Sequence, residues 1–119
     1  MDHKTVEEYI LSMANSYLDY PFGKEVAVYK TGPKGDGKMF ALISENTNPL
    51  QLSLKCDPLL AKTLRERFET VMEGYHLNKK HWNTILLTGQ LPWDEIQALI
   101  LHSYILVTEG SDSNQPTQA

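Results

Sequence analysis

The chain has one cysteine, Cys56, so no disulfide can form within it, and a reducing setting such as the cytoplasm is expected. It has no long apolar run. The first twenty residues carry Asp2, Glu7, Glu8 and Asp19, which excludes a secretory signal or a membrane span there. It has no excess of positive charge: the formal net charge is -4, which argues against a simple polycation that coats nucleic acid. No glycine-rich phosphate loop follows a strand and opens a helix, because Gly32-Pro33-Lys34-Gly35-Asp36-Gly37 lies between two strand-like stretches. No nucleophile elbow, no carboxylate pair placed for acid–base work and no internal repeat is visible, so a non-catalytic protein without a cofactor is expected. At 119 residues the chain is one domain's worth, long enough to bury a single core without staples.

What charge there is falls unevenly. Residues 24–38 hold Lys24, Lys30, Lys34 and Lys38 against Glu25 and Asp36, while the N-terminal and C-terminal segments are acidic. The decapeptide Gly74-Tyr75-His76-Leu77-Asn78-Lys79-Lys80-His81-Trp82-Asn83 has two lysines, two histidines, two asparagines and two aromatic rings, and no acid occurs from Gly74 to Thr88. A turn with that content offers cations, donors and stacking faces to an anion or a base. Separated fields of this kind steer a polyanion to one side of an acidic molecule.

The pattern predicts an α+β fold in the order α-β-β-β-α-β-α, with a mainly antiparallel sheet packed by N-terminal, middle and C-terminal helices. The first helix is expected from about Thr5 to Leu18, with Thr5 and Glu8 as a capping box and Val6, Tyr9, Ile10, Met13 and Tyr17 as its apolar stripe. Two strands, Val26 to Lys30 and Lys38 to Ser44, flank a glycine-dense turn and read as a hairpin with a flexible, lysine-bearing tip. Leu50, Leu52, Leu54 and Cys56 alternate with polar residues, the period of a half-buried strand. Asp57 caps a middle helix with Pro58 in its first turn, and Leu60, Leu64, Phe68 and Val71 form its stripe, stopped by Gly74. His81 to Thr88 reads as the fourth strand. Pro92 opens the last helix, with Ile96, Leu99, Ile100, Ser103, Tyr104 and Val107 facing inward. The domain is expected to span residues 1–109, with a disordered polar tail at 110–119.

Each chemistry-bearing side chain has a functional and a bland reading. Lys79 and Lys80 suit phosphate contact, or simply a solvated turn. Lys30, Lys34 and Lys38 suit a wing that touches phosphates, or protection of an exposed hairpin from edge pairing. The five-residue spacing of His76 and His81 is poor for shared metal ligation, so no metal is expected. Backbone bonding or ligand contact suits them better, and protonation near pH 6.5 would strengthen anion binding. Asn78 and Asn83 suit Asx turns better than base edges. Trp82 is expected in the core rather than stacked on a base, with Tyr75 open to either role. Arg65 and Arg67 read as a solvated helix face paired with Glu66 and Glu69. Cys56 reads as a small buried thiol.

Beside this reading stands a resemblance. Tyr20-Pro21-Phe22-Gly23, Val28-Tyr29-Lys30, Gly37-Lys38-Met39-Phe40-Ala41-Leu42, Leu54-Lys55-Cys56-Asp57-Pro58, Leu64-Arg65-Glu66-Arg67, the decapeptide and His102-Ser103-Tyr104, in that order, resemble the MmcQ/YjbR family over roughly residues 1–108. The resemblance implies a frataxin-like (CyaY-like) α+β fold and a DNA-binding role through two winglike projections. On that basis the expected partner is duplex DNA bound with little sequence choice, and no membrane. The contact residues would be Lys30, Lys34 and Lys38 on one projection and His76, Asn78, Lys79, Lys80 and His81 on the other. With about five lysines engaged, the salt slope would be about -4 to -5 on log axes. The alternative is a small-ligand or protein-binding module centred on His76, Asn78 and His81.

Overall fold

The computed structural model describes residues 2–74 and 77–109. Their elements are helix α1 (His3–Leu11), strands β1 (Ser16–Asp19), β2 (Val26–Thr31), β3 (Lys38–Ser44) and β4 (Gln51–Lys55), helix α2 (Pro58–Arg67), strands β5 (Val71–Glu73) and β6 (Trp82–Leu86), and helix α3 (Trp93–Thr108). The six strands form one antiparallel sheet in the order β1-β2-β3-β4-β6-β5. The α+β class and the expected order of helices and main strands hold, with two short edge strands, β1 and β5, inserted.

The first helix begins and ends earlier than the periodicity suggests. Asp2, not Thr5, is its cap: Asp2 Oδ1 accepts the Thr5 N–H at 2.9 Å. The helix stops at Leu11 because Ser12 and Ser16 turn their hydroxyls back onto the carbonyls of Tyr9 and Met13, each at 2.6 Å. Asn15 then takes a left-handed conformation, φ 60°. Tyr17 therefore belongs to β1 rather than to the helix stripe. The middle helix is correctly capped by Asp57, whose Oδ2 accepts from Leu59 and Leu60 N–H. It ends at Arg67 because Phe68 is extended, φ -129° and ψ 122°. Val71 thus lies in β5, and Gly74 ends that strand rather than the helix. The fourth expected strand is trimmed to Trp82–Leu86.

All three helices lie on one face of the sheet. Val6 and Ile10 of α1, Ala61 and Leu64 of α2, and Ile96, Ile100 and Val107 of α3 share one core with Ala27, Tyr29, Ala41, Ile43, Leu52, Leu54 and Ile85. The β2–β3 register shifts between Tyr29 and Lys30. Phe40 is the extra residue, and both Phe40 and Ala41 turn toward the helices. On the opposite face Val28, Leu42 and Trp82 form a second, smaller cluster, flanked by Val26, Met39 and Leu77. Trp82 is buried there, as expected for a core anchor.

Ser103 decides how β3 and β4 part. Their ladder ends at Ala41 and Leu54, and the next rung would join Phe40 to Lys55. Instead the fully buried Ser103 hydroxyl donates to Phe40 C=O at 2.5 Å and accepts Lys55 N–H at 3.0 Å. A residue that the periodicity assigns to an apolar stripe is thus a polar wedge between two strands, satisfying both backbone groups.

Candidate nucleic-acid interface

The antiparallel registers bring the two lysine-rich turns to the same end of the sheet. Lys38 begins β3, Lys55 ends β4 and Trp82, paired with Lys55, begins β6. The β2–β3 turn with Lys34 and the turn with Lys79 and Lys80 therefore emerge side by side. They are separated by the intervening β4, or roughly 10 Å at the usual strand spacing. Lys34, Lys38, Lys79 and Lys80 are all exposed. Glu25, Glu45 and Glu69 lie at the opposite end. Asp36, Asp57 and Glu73 accompany the lysines, so the basic end is mixed in sign but lysine-rich.

The two turns share an end but not a face. Strand alternation puts Lys38 on the helix side, opposite Thr31 in register. The second turn leans the other way, since Leu77 packs on the helix-free cluster. The hydroxyl wedge of Ser103 lies between the strands that carry them. The basic surface is therefore the rim of the sheet, with cations to either side of it.

Both turns are tied down. Tyr17 Oη accepts from Gly35 N–H at 3.2 Å and Gly37 N–H at 3.1 Å, and donates to Pro33 C=O at 3.3 Å. The hairpin tip expected to be flexible is thus clasped from β1. A Cβ on Gly37 would stand 2.7 Å from that hydroxyl and 2.8 Å from Thr31 O, which explains the glycine. In the second turn Asn78 Oδ1 accepts from Lys80 N–H at 2.9 Å, the expected Asx turn, and Asn78 C=O accepts from His81 and Trp82 N–H. His81 C=O accepts from Cys56 N–H at 2.8 Å, locking the turn onto the end of β4.

Several candidate residues behave differently from their sequence reading. Lys30 is half-buried on the helix-free face and ion-paired with Asp19 at 3.0 Å, so its charge is already compensated. That bond holds the Asp19 carboxyl below its ordinary range. His76 lies outside the described residues, as do Tyr75 and the 110–119 tail; His81 is half-buried in the turn. Among the described residues no three His, Cys, Asp or Glu side chains converge as a metal-ligating set, and no helix is long and apolar enough to cross a membrane.

Asn83 is neither a turn residue nor open to a base. It is buried in β6, where its Nδ2 donates to Ala61 C=O at 3.2 Å and its Oδ1 accepts from Arg65 Nη1 at 2.8 Å. Arg65 is accordingly not part of a self-paired helix face; among the described residues neither Glu66 nor Glu69 forms an ion pair with it. A partner 18 residues away, across β5, left no local signal. Cys56 is buried, and burial, with Asp57 beside it, pushes its thiol up to about 11, so it is a poor nucleophile at neutral pH.

Residues 11–106 match the model of the YjbR family. The chain belongs to that family. It is 32% identical over 108 residues to the uncharacterized protein YbdF of Escherichia coli, covering 91% of this chain and 85% of that one. To the uncharacterized protein YjbR of the same species it is 41% identical over 71 residues, 60% of each chain. Among solved structures it is similar to a Deinococcus radiodurans protein with a DUF419 domain, with a TM-score of 0.86 at 36% identity over 91% of this chain and 79% of that one. A Pseudomonas syringae protein superposes with a TM-score of 0.75 at 28% identity, over 90% and 99% of the two chains.

Proposed function

We propose that this YjbR-family protein is a non-catalytic DNA-binding module with little sequence preference, and that it meets the duplex with one end of its sheet. The observation that carries the reading is the convergence of the Lys34–Lys38 turn and the Lys79–Lys80 turn on a single rim. Lysines held on clasped turns contact phosphates without reading bases, which gives affinity and orientation but no sequence choice. The acidic residues at the far end favour end-on approach over wrapping. Asn78 is committed to its turn, so it shapes the projection rather than reading a base edge. Cys56, buried and single, suits a cytoplasmic setting.

Five lysines lie on the two turns and their flanking strands: Lys30, Lys34, Lys38, Lys79 and Lys80. Lys30 leaves that count because Asp19 neutralises it, so the remaining lysines contribute about -3 to -4 to the slope of log affinity against log salt. Titrating a labelled duplex at several salt concentrations measures it. No binding in dilute buffer, or binding indifferent to salt, would refute the proposal.

A further inference from the structure

Arg65 is a half-buried cation with no carboxylate in ion-pairing contact among the described residues. A charge drawn partly out of water is normally matched by an opposite one, because desolvation without a counter-charge is unfavourable. The charged neighbours account for none of this. Glu66 and Glu69 follow it toward the far end of the sheet and do not pair with it; Asp57, which caps the same helix at the rim, and Glu73, opposite Asn83 in the β5–β6 register, do not pair with it either. Arg67, two residues on, follows the common surface pattern instead: its guanidinium lies over the Phe68 ring at 5.2 Å from the centroid.

The guanidinium is nevertheless held in place. Asn83 is 2% exposed, and its amide is oriented by the bond from Nδ2 to Ala61 C=O, so Oδ1 is a fixed acceptor for Arg65 Nη1 at 2.8 Å. A neutral amide fixes geometry without cancelling charge. One of the five N–H donors is used there, which leaves the rest of a planar fork for another acceptor. The position is also telling. Asn83 is the second residue of β6, one rung inside the Lys55–Trp82 pair that marks the basic rim. The amide that holds it is bonded to Ala61 of α2, so the guanidinium meets β6 on the helix side, one rung in from that rim.

We infer that Arg65 is an oxyanion-contacting residue of the rim, pre-oriented by Asn83 to take a phosphate group from the helix side while Lys79 and Lys80 meet the anion from the turn. This rests on the DNA-binding reading and names a contact that the reading did not contain. A guanidinium already oriented loses less freedom on forming a bidentate bond to phosphate than a free lysine does.

The test uses the full chain, with Arg65→Gln, Arg65→Lys and the Lys79→Ala/Lys80→Ala pair, each first confirmed folded by urea titration. Gln keeps a polar side chain at this position but carries no charge. The expected result for Arg65→Gln is a salt slope shallower by about 0.9 and duplex affinity roughly tenfold weaker in dilute buffer, with the slope retained in Arg65→Lys. In parallel, inorganic phosphate is titrated while the Asn83 side-chain amide and Arg65 Nε resonances are followed. They should shift in the wild type, and the Asn83 amide should stay still in Arg65→Gln. If Arg65→Gln binds duplex with unchanged slope while the double lysine variant weakens, the inference is overturned and the DNA reading stands. If phosphate moves the Asn83 amide through Arg65 but no duplex binds, the anion contact stands and the DNA reading falls. If neither probe responds to Arg65, the inference falls in every case.

Discussion

Replacing Ser103 with alanine removes a single hydroxyl from a site with no exposed surface. Two backbone groups lose their partner: Phe40 C=O, now accepting at 2.5 Å, and Lys55 N–H, now donating at 3.0 Å. Water cannot reach Ser103 from outside, so neither group is readily resatisfied. A buried backbone group left unpaired is destabilising by about 1–3 kcal/mol, so the pair together should lower stability by roughly 2–6 kcal/mol. For a domain of this size that is a fall in Tm of at least about 10 °C. Urea titration with an unchanged m-value would show that the loss lies in the native state. Thr108→Ala serves as the control, since the Thr108 hydroxyl bonds Tyr104 C=O on an exposed stretch of the same helix. It should change stability by no more than about 0.5 kcal/mol. The reasoning fails if Ser103→Ala is as mild as the control. Phe40 and Lys55 would then have closed the rung directly, and the hydroxyl would not be holding the strands apart.

Three other outcomes are expected. Tyr17→Phe should lose about 1–2 kcal/mol and abolish hydrogen-exchange protection at Gly35 and Gly37, because the hydroxyl that clasps the hairpin tip is gone; protection that survives would show that the turn holds itself. Gly74→Ala should lower the urea midpoint by an amount equivalent to about 1–3 kcal/mol, because the new Cβ would stand 2.7 Å from Trp82 Cβ; an unshifted midpoint counts against that packing. Burial, only partly offset by Asp57, holds the His102 imidazole below its ordinary 6.5, and its Nε2 accepts the Asp57 N–H at 3.1 Å. Protonation therefore favours the unfolded chain: this share of stability is complete above pH 6.5 and is lost as pH falls from there through the lower folded value. Tm measured from pH 7.5 to 5 should fall more steeply in the wild type than in His102→Asn, and parallel curves would contradict the assignment.

Much of the architecture was legible because its signals are local. The alternation from Leu50 to Cys56, the Asp57-Pro58 start of a helix and the glycine-rich hairpin turn each depend on residues a few positions apart, and each is found where the pattern puts it. The two short edge strands were not legible. Ser16–Asp19 and Val71–Glu73 are four and three residues long, and each is made a strand by its neighbour rather than by its own composition. Tyr17 and Val71 also continue the periodicity of the preceding helices, so the pattern carried each helix past its true end.

The candidate site divides in the same way. The amino-acid order alone concentrated lysines in two turns, capped α2, and placed Asn78 in an Asx turn, because those effects act over a few residues of chain. Only the tertiary structure decided that the turns share a rim, that Lys30 is spent on Asp19, that Asn83 holds Arg65, and that Ser103 parts β3 from β4. Those pairings join residues 11 to 63 positions apart. Contacts between residues so distant in the chain are set by strand order and register, and a pattern read along one segment contains neither.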